Sequence, residues 1–398
     1  MVEILPPGLV LLIGLAVLSA GAEILVRNAI RLSSLFGISR LMVGLTVVAL
    51  GTSTPELAIS LKSVFSGVEE LALGNVLGSN ILNILLILGV AATIRPVRVS
   101  AQLIRMDVPV MCLVSIAVLV LAIDGRISRS DGGLLALGSL VYGFLLFRAA
   151  RRDHLAAREL FELDPPQRED QKQEAQGNVG RFLARVFSEG SMAARWLLPI
   201  LRVGLLALGI YLLVRGASLM VDGAVELADR RGLSPLVVGL TILALGTSLP
   251  ELATSTAASI RGESDIAAGN VVGSNLLNLL VVLGVTALLA PNGIAVPAPA
   301  LVLDLPVMVV VALASLPILF TGHVISRGEG ILFLFYYVAY TTYLILKGTR
   351  VAEPLEQLIV TASWFVVPFT IATLLILMWR ERRRQHLRAR SPRRHTKD

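Results

Sequence analysis

Two glutamates lie inside apolar stretches of the sequence, and each follows two hydroxyl side chains at helical spacing. Thr52 and Ser53 precede Glu56 by four and three residues, so the three side chains share one face of a helix. The same pattern recurs 195 residues later as Thr247, Ser248 and Glu251. Hydroxyl and carboxylate oxygens are the ligands preferred by hard cations such as Na⁺, Ca²⁺ and Mg²⁺.

A proline stands directly before each glutamate, at Pro55 and Pro250. Proline lacks a backbone donor and clashes with the carbonyl four residues earlier, so we expect a break in both helices. The carbonyls expected to be free are those near Ala49, Leu50, Ala244 and Leu245. Within a membrane, free carbonyls are tolerated only where they line a cavity or meet an ion.

A second polar cluster follows each glutamate and is also duplicated. Gly74–Asn80, with Asn83 beyond it, recurs as Gly269–Asn275 with Asn278. We expect these residues to interrupt a second apolar helix in each copy. Ser79 and Asn83 are four residues apart and can face one point, as can their equivalents Ser274 and Asn278. The paired glycines at 74, 78, 269 and 273 permit close helix approach.

The combined donor set contains two carboxylates, amide oxygens and hydroxyls, and it contains no His or Cys. This mixture suits Na⁺ or Ca²⁺ better than zinc or copper, and better than Mg²⁺, which retains its waters. Two buried carboxylates need a compensating charge. One Ca²⁺, two Na⁺ or two H⁺ would each supply it, so these ions should compete for one site and exchange.

The elements that hold these residues must be membrane-spanning helices. The chain has 398 residues, 55% of them hydrophobic and 16% charged, with a mean hydropathy of +0.78. This composition excludes a soluble globule. Eleven apolar stretches are long enough to span a bilayer. They lie near 8–28, 41–63, 71–93, 106–123, 132–148, 197–221, 234–256, 266–290, 302–321, 328–346 and 356–379.

The two polar patterns belong to one internal repeat. Residues 44–89 share 26 of 46 identities with 239–284, without a gap. Each copy holds five spans, and an odd number makes the two copies inverted across the membrane, as in alternating-access transporters. We therefore predict an all-α integral membrane protein of two inverted five-helix repeats and one extra span. The predicted domains are 1–148, a polar linker at 149–195, 196–348, an extra span at 349–380 and a basic tail at 381–398.

The charge distribution predicts the orientation. With the amino terminus outside, 27 of the 35 Lys and Arg residues lie on the cytoplasmic side, so the carboxyl terminus is also cytoplasmic. We expect a multi-pass protein of the cell (inner) membrane. The linker is expected to be flexible, with an interfacial helix or a plain extension of the next span near 182–187. No pattern indicates nucleic-acid binding, a cofactor or an obligate protein partner.

At these two segments the chain resembles the cation/calcium exchanger superfamily, and specifically prokaryotic sodium/calcium antiporters. The resemblance implies a ten-helix core in which the first and sixth helices slide past the ion sites. It also implies a calcium site centred on Glu56 and Glu251, with sodium sites beside it. The implied hydroxyl and carbonyl donors of the calcium site are Thr52, Ser53, Thr247 and Ser248. The implied sodium ligands are Ala49, Ala244, Ser79, Asn83, Ser274 and Asn278.

Several relatives in that superfamily carry Asp at the position of Asn278, and here the neutral side chain argues against an obligatory K⁺ site. A Ca²⁺/H⁺ exchanger on the same fold remains the nearest alternative, because burial and like charge favour protonated carboxyls. A passive cation channel and a purely structural role for the two glutamates are further alternatives. A membrane hydrolase is remote, so we expect no enzymatic activity. Asp107 and Asp304, also duplicated, are expected at helix starts near an interface.

Overall fold

The protein is almost entirely helical in the part of the chain that the structure describes. This computed structural model describes residues 5–35, 53–99, 103–163, 192–262, 264–320 and 324–348. Seven helices in that part are long and apolar enough to cross a membrane. The helical segments Pro235–Thr247 and Leu249–Arg261 are long and apolar enough only when taken together, and they meet at a bend of 48°. The expected all-α integral membrane fold is confirmed.

Within its described residues, the first half contains six helices and two very short strands. Helix α1 spans Pro7–Leu35, α2 Thr54–Phe65, α3 Glu69–Leu82, α4 Gly89–Ile94, α5 Val108–Leu121 and α6 Arg129–Leu163. Strands β1 and β2 are Val97–Arg98 and Arg126–Ile127. Two π-helical segments lie at Asn83–Leu88, between α3 and α4, and at Leu103–Asp107, before α5.

The described part of the second half has the same order, with two further short helices and a π-helical segment before the helix that begins at Leu249. Helix α7 spans Met192–Arg231, α8 Pro235–Val238, α9 Ala244–Thr247, α10 Leu249–Arg261, α11 Ser264–Leu277, α12 Gly284–Leu289, α13 Leu305–Phe320 and α14 Arg327–Gly348. Strands β3 and β4 are Ile294–Ala295 and Val324–Ile325. The π-helical segments lie at Gly239–Leu243, Asn278–Leu283 and Ala300–Asp304.

The equivalent helices α1 and α7 pack against each other in opposite directions. A Cβ at Gly14 would lie 2.9 Å from the backbone nitrogen of Met220. A Cβ at Gly21 would lie 2.7 Å from the backbone nitrogen of Leu213. Later residues of α1 thus meet earlier residues of α7, and only glycine allows the backbones so close. An antiparallel pair of equivalent helices is what an inverted duplication requires.

Further contacts between the two halves occur in pairs that involve equivalent elements. Strand β1 pairs antiparallel with β4, and β2 pairs antiparallel with β3. A Cβ at Gly89 would lie 3.1 Å from the carbonyl oxygen of Gly330. In the same way, a Cβ at Gly132 would lie 2.7 Å from the carbonyl oxygen of Gly284. The third span of each half therefore packs tightly on the fifth span of the other.

Burial separates the central spans from the peripheral ones. In the spans at 69–94 and 267–289, 78% and 72% of the most apolar stretch is buried, whereas in the spans at 129–148 and 327–347 the share is 17% each. Helices α3 and α11 are therefore the centre of the bundle. They carry the duplicated asparagine motifs, which places those motifs away from the outer surface of the fold.

The chain differs from expectation in the linker. Helix α6 continues fifteen residues beyond 148, to Leu163, where the sequence led us to expect a flexible segment. This stretch is rich in Ala, Arg, Glu and Leu, which favour helix even without apolar periodicity. The expected interfacial helix near 182–187, the eleventh span and the basic tail lie outside the described residues.

Candidate cation site

The expected break before Glu251 is present in the structure. Helix α9 ends at Thr247, and α10 begins at Leu249; Ser248, between them, occupies the N-cap position of α10 without a side-chain capping hydrogen bond. Pro250 is the second residue of α10, where its missing N–H is not needed for an intrahelical bond. The break gives the 48° bend and sets Glu251 in the first turn of α10, where the helix dipole favours a negative charge.

The first half repeats the start of this helix. Ser53 occupies the N-cap position of α2 without a side-chain capping hydrogen bond, Pro55 is the second residue of the helix and Glu56 the third. The segment before Ser53 corresponds to α9, and it contains two of the predicted ligands, Thr52 and Ala49. Both of these residues lie outside the described part of the chain.

The expectation of a free carbonyl at Ala244 is wrong. Its oxygen accepts the backbone N–H of Ser248 at 3.1 Å and the hydroxyl of Thr247 at 3.4 Å. The reason is the position of the proline. Pro250 lacks the N–H that would bond to the carbonyl of Gly246, whereas the N–H of Ser248, which bonds to the carbonyl of Ala244, is unaffected. A carbonyl has two lone pairs, so a sodium-binding role for Ala244 stays a prediction.

Glu56 contacts the opposite repeat directly. The hydroxyl of Ser248 donates a hydrogen bond to Glu56 Oε1 at 3.2 Å, and Thr247 also lies beside this carboxyl group. Ser248 is three residues before Glu251, so Glu56 touches the first turn of the helix that carries the other glutamate. Both glutamates are 1% exposed, and neither side chain faces the surrounding hydrocarbon.

The second polar cluster does not break its helix, contrary to expectation. Helix α3 runs without interruption to Leu82, and α11 runs without interruption to Leu277. The backbone widens to π-helix only afterwards, beginning at Asn83 in one half and at Asn278 in the other. Such π-helical turns occur often at functional sites. Gly74 and Gly78 lie within the uninterrupted helix α3, where they allow α3 to approach its neighbour.

The expected close approach is confirmed at both of these glycines. A Cβ at Gly74 would lie 2.6 Å from the carbonyl oxygen of Leu236. A Cβ at Gly78 would lie 2.5 Å from the carbonyl oxygen of Leu240. Helix α3 therefore packs directly on the backbone that leads to Ala244. At Gly269 and Gly273, no described atom lies within 4 Å of the Cβ position.

The amide of Asn83 is oriented by the opposite repeat. Its nitrogen donates to Asn275 Oδ1 at 2.9 Å, which leaves Asn83 Oδ1 as a buried acceptor without a hydrogen-bond partner. Asn278, the equivalent residue, has no hydrogen-bond partner on either amide atom. The two halves are therefore not identical at these positions, although their sequences match.

Several predicted ligands present unpaired buried oxygens. Buried acceptors without a partner are costly, and bound cations satisfy such oxygens. The buried oxygens without a hydrogen-bond partner in the predicted site are Ser53 Oγ, Glu56 Oε2, Ser79 Oγ, Asn83 Oδ1 and Asn278 Oδ1. Ser274 is also buried, at 3% exposed. Among the described residues, no group of three or more His, Cys, Asp or Glu side chains could hold a metal ion.

Two sets of buried polar residues were missed as functional candidates by the sequence reasoning. Asn75 and Asn270 each donate from Nδ2 toward the backbone oxygen of the glutamate in their own half, at 3.4 and 3.5 Å. Their identity in both repeats was a usable signal. In addition, Tyr142 donates to Asp107 at 2.9 Å, and Tyr340 donates to Asp304 at 2.7 Å. Three pairs of residues thus occupy matching places in the two repeats: Asn75 and Asn270, Asp107 and Asp304, Tyr142 and Tyr340.

The comparisons with known proteins agree with this geometry. The family described as sodium/calcium exchanger protein matches residues 7–148 and 201–346. Inner membrane protein YrbG of Escherichia coli (strain K12) is 39% identical over 286 residues, covering 71% of this chain and 80% of that protein. Sodium/calcium exchanger MaX1 of Methanosarcina acetivorans is 33% identical over 350 residues, covering 84% and 97%. A structure of the sodium-calcium exchanger NCX_Mj has a TM-score of 0.53 at 29% identity, covering 85% and 98%.

A duplicated helical membrane core around buried oxygen ligands defines the class as a secondary transporter of cations. The chain belongs to the sodium/calcium exchanger protein family. It is thus a multi-pass membrane antiporter of the cation/calcium exchanger type, with Ca²⁺ and Na⁺ as the substrates that the family implies, and it is not an enzyme.

Proposed function

We propose that the protein exchanges Ca²⁺ for Na⁺ by alternating access around Glu56 and Glu251. The hydrogen bond from Ser248 to Glu56 carries this proposal, because it joins a carboxylate of one repeat to the helix start that holds the carboxylate of the other. Two buried carboxylates are neutralised by one Ca²⁺ or by two monovalent ions. The protein then switches access to the site from one side of the membrane to the other only when the site holds its ions, which makes the exchange obligatory.

The ligand set proposed for this site combines both halves. Calcium is held by the two glutamates with hydroxyl and backbone oxygens around them, and sodium occupies flanking positions. The proposed ligands are Glu56, Glu251, Thr52, Ser53, Thr247, Ser248, Ser79, Asn83, Ser274, Asn278, Ala49 and Ala244. Supporting this set, the unpaired buried oxygens of Ser53, Ser79 and Asn83 are all hard donors. The neutral side chain at 278 favours a mechanism without obligatory K⁺.

Sodium is favoured over protons as the counter-ion. A proton needs one basic oxygen, whereas sodium needs a shell of oxygens, and this core supplies hydroxyl, amide and carbonyl oxygens around its carboxylates. A sodium/calcium exchanger among the relatives supports the same choice. Ca²⁺/H⁺ exchange is the second candidate, and buried paired glutamates favour it.

Transport into liposomes tests the proposal. Na⁺-loaded proteoliposomes should accumulate ⁴⁵Ca²⁺ when external Na⁺ is removed, and Glu56→Gln or Glu251→Gln should abolish uptake. If a pH gradient without Na⁺ drives as much ⁴⁵Ca²⁺ uptake as the Na⁺ gradient does, the counter-ion is the proton and not sodium. Rapid Ca²⁺ flux with neither gradient would indicate a channel and would refute obligatory exchange.

We further propose the inner membrane as the location, with the amino terminus outside and the carboxyl terminus in the cytoplasm. The excess of basic residues on one side supports this orientation, and one relative is named as an inner membrane protein. The two exchanger repeats are assigned to 1–148 and 196–348. Single cysteines placed in the linker at 149–195 should react with impermeant thiol reagents only from the cytoplasmic face.

A further inference from the structure

The hydroxyl of Thr247 is surrounded by three oxygen acceptors, and two of them are proposed ion ligands. Its Oγ1 lies 3.4 Å from the carbonyl of Ala244 and also lies beside the Glu56 carboxyl group. The third acceptor is Oδ1 of Asn75, at 3.3 Å, which belongs to the opposite repeat. A hydroxyl has one proton to donate, so the choice of acceptor decides which oxygens remain available to a cation.

Asn75 is held so that its oxygen faces Thr247. Its amide nitrogen donates to the hydroxyl of Ser60 at 3.3 Å and toward the backbone oxygen of Glu56 at 3.4 Å. The side chain is completely buried, so water does not compete for these bonds. With Nδ2 engaged on α2, Oδ1 is directed across the repeat interface.

The second repeat contains the same anchor. Asn270 donates from Nδ2 to the hydroxyl of Ser255 at 2.9 Å and toward the backbone oxygen of Glu251 at 3.5 Å. A pairing that occurs twice, between residues of identical type and spacing, is a feature of the fold and not an isolated side-chain contact.

We propose that Asn75 is a positioning residue for sodium binding: its side-chain oxygen accepts the hydrogen bond from the Thr247 hydroxyl, so that the Ala244 carbonyl and the lone pairs of Thr247 stay open to the ion. This inference rests on the proposed function of the site. Without Asn75, the Thr247 hydroxyl donates its hydrogen bond to Ala244 or to Glu56, and a sodium ion must displace that hydrogen bond before binding. Asn75 itself touches no ion.

A double-mutant cycle on sodium-dependent ⁴⁵Ca²⁺ uptake tests this role. In the otherwise wild-type protein, Asn75→Leu should raise the half-saturating Na⁺ concentration about fivefold, the equivalent of one lost hydrogen bond. In a Thr247→Val background there is no hydroxyl whose hydrogen bond could be redirected, so Asn75→Leu should change the half-saturating Na⁺ concentration by less than about twofold.

The matched control removes the other partner of Asn75. Ser60→Ala deletes the hydroxyl that anchors the amide nitrogen but leaves Thr247 in place, so the fivefold effect of Asn75→Leu should persist in that background. Asn75→Ala, which needs less space, is carried through the same cycle in case Leu is not accommodated. Unfolding midpoints in detergent are measured for every variant, so that a loss of folded protein is not read as a loss of affinity.

An equal effect of Asn75→Leu with and without the Thr247 hydroxyl would overturn the proposal. So would a lower maximal rate at unchanged half-saturating Na⁺, since that is the result of a merely structural role. If Glu56→Gln and Thr247→Val both leave Na⁺ and Ca²⁺ dependence unaltered, the site itself is wrong and both proposals fail. If those two variants are impaired and only the cycle is additive, the site stands and the positioning role alone is refuted.

Discussion

Gly78→Ala tests whether the close packing of α3 on the opposite repeat sets the geometry of the cation site. The new Cβ would lie 2.5 Å from the Leu240 carbonyl oxygen and 2.7 Å from the Cβ of Ala244. Carbon atoms in contact are normally about 3.5 Å apart, so the two segments must separate by roughly 0.8 Å. Backbone atoms account for the nearest contact, and no rotamer change can relieve it.

The separation has two measurable effects. Overpacking of this kind costs about 1–3 kcal/mol of stability. The same movement lengthens the 3.3 Å hydrogen bond between Thr247 and Asn75, which spans the interface that is being opened. We therefore expect a lower unfolding midpoint in detergent and a half-saturating Na⁺ concentration raised about fivefold or more, because the bond is lost outright.

Thermal unfolding and Na⁺-dependent ⁴⁵Ca²⁺ uptake measure these effects on the same preparations. Gly143→Ala is the matched control, because this helical glycine has no described atom within 4 Å of its Cβ position. That substitution should be neutral or slightly stabilising. If Gly78→Ala shows wild-type stability and wild-type sodium dependence, the contact between α3 and the Leu240–Ala244 backbone does not define the site.

Two further substitutions separate charge from packing. Asn278→Asp adds a carboxylate at a buried position where the present amide has no hydrogen-bond partner. The affinity for sodium, measured by Na⁺ titration of uptake, should rise in alkaline buffer, where the carboxylate is ionised, and fall back in acidic buffer. An unchanged pH dependence would place residue 278 away from the ions. Tyr340→Phe removes the donor to buried Asp304 and should cost about 1–3 kcal/mol of stability without changing the half-saturating Na⁺ or Ca²⁺ concentrations. Exposed Tyr211→Phe serves as its control, and equal midpoints for both tyrosine variants would contradict a stabilising role for the Asp304 pair.

Much of the fold was predictable because the repeat keeps its register. A gapless offset of 195 residues sets five spans in each half, and the odd number constrains the relation between them. The break at Pro250 was equally predictable, since a missing backbone donor acts locally. Both features depend on residue type and spacing alone.

The free carbonyl was predicted at the wrong residue through an error of position. Pro250 has no N–H to donate to the carbonyl four residues earlier, at Gly246, whereas the Ala244 carbonyl still accepts the N–H of Ser248. The π-helical turns that begin at Asn83 and Asn278 were also missed. A π-helical turn comes from tertiary packing on a helix whose apolar periodicity is otherwise ordinary, so the sequence pattern does not reveal it.

Contacts between residues distant in the chain could not be predicted from sequence periodicity. The bond from Asn83 to Asn275 joins residues 192 positions apart, and only the folded arrangement shows that the equivalent Asn278 lacks such a bond. Tyr142 and Asp107 are likewise 35 residues apart, on different spans. Both aspartates were correctly expected at helix starts, but their burial against tyrosine was not anticipated.

Equilibrium binding of ⁴⁵Ca²⁺ to the purified protein tests the central claim most directly. We predict one Ca²⁺ per chain in Na⁺-free buffer, displaced by Na⁺ with a sigmoidal dependence because more than one sodium ion replaces it. Glu56→Gln and Glu251→Gln should each weaken Ca²⁺ binding by at least about thirtyfold, since each removes one charge from a buried ion pair. Wild-type Ca²⁺ affinity in the variant that carries both substitutions would contradict the account.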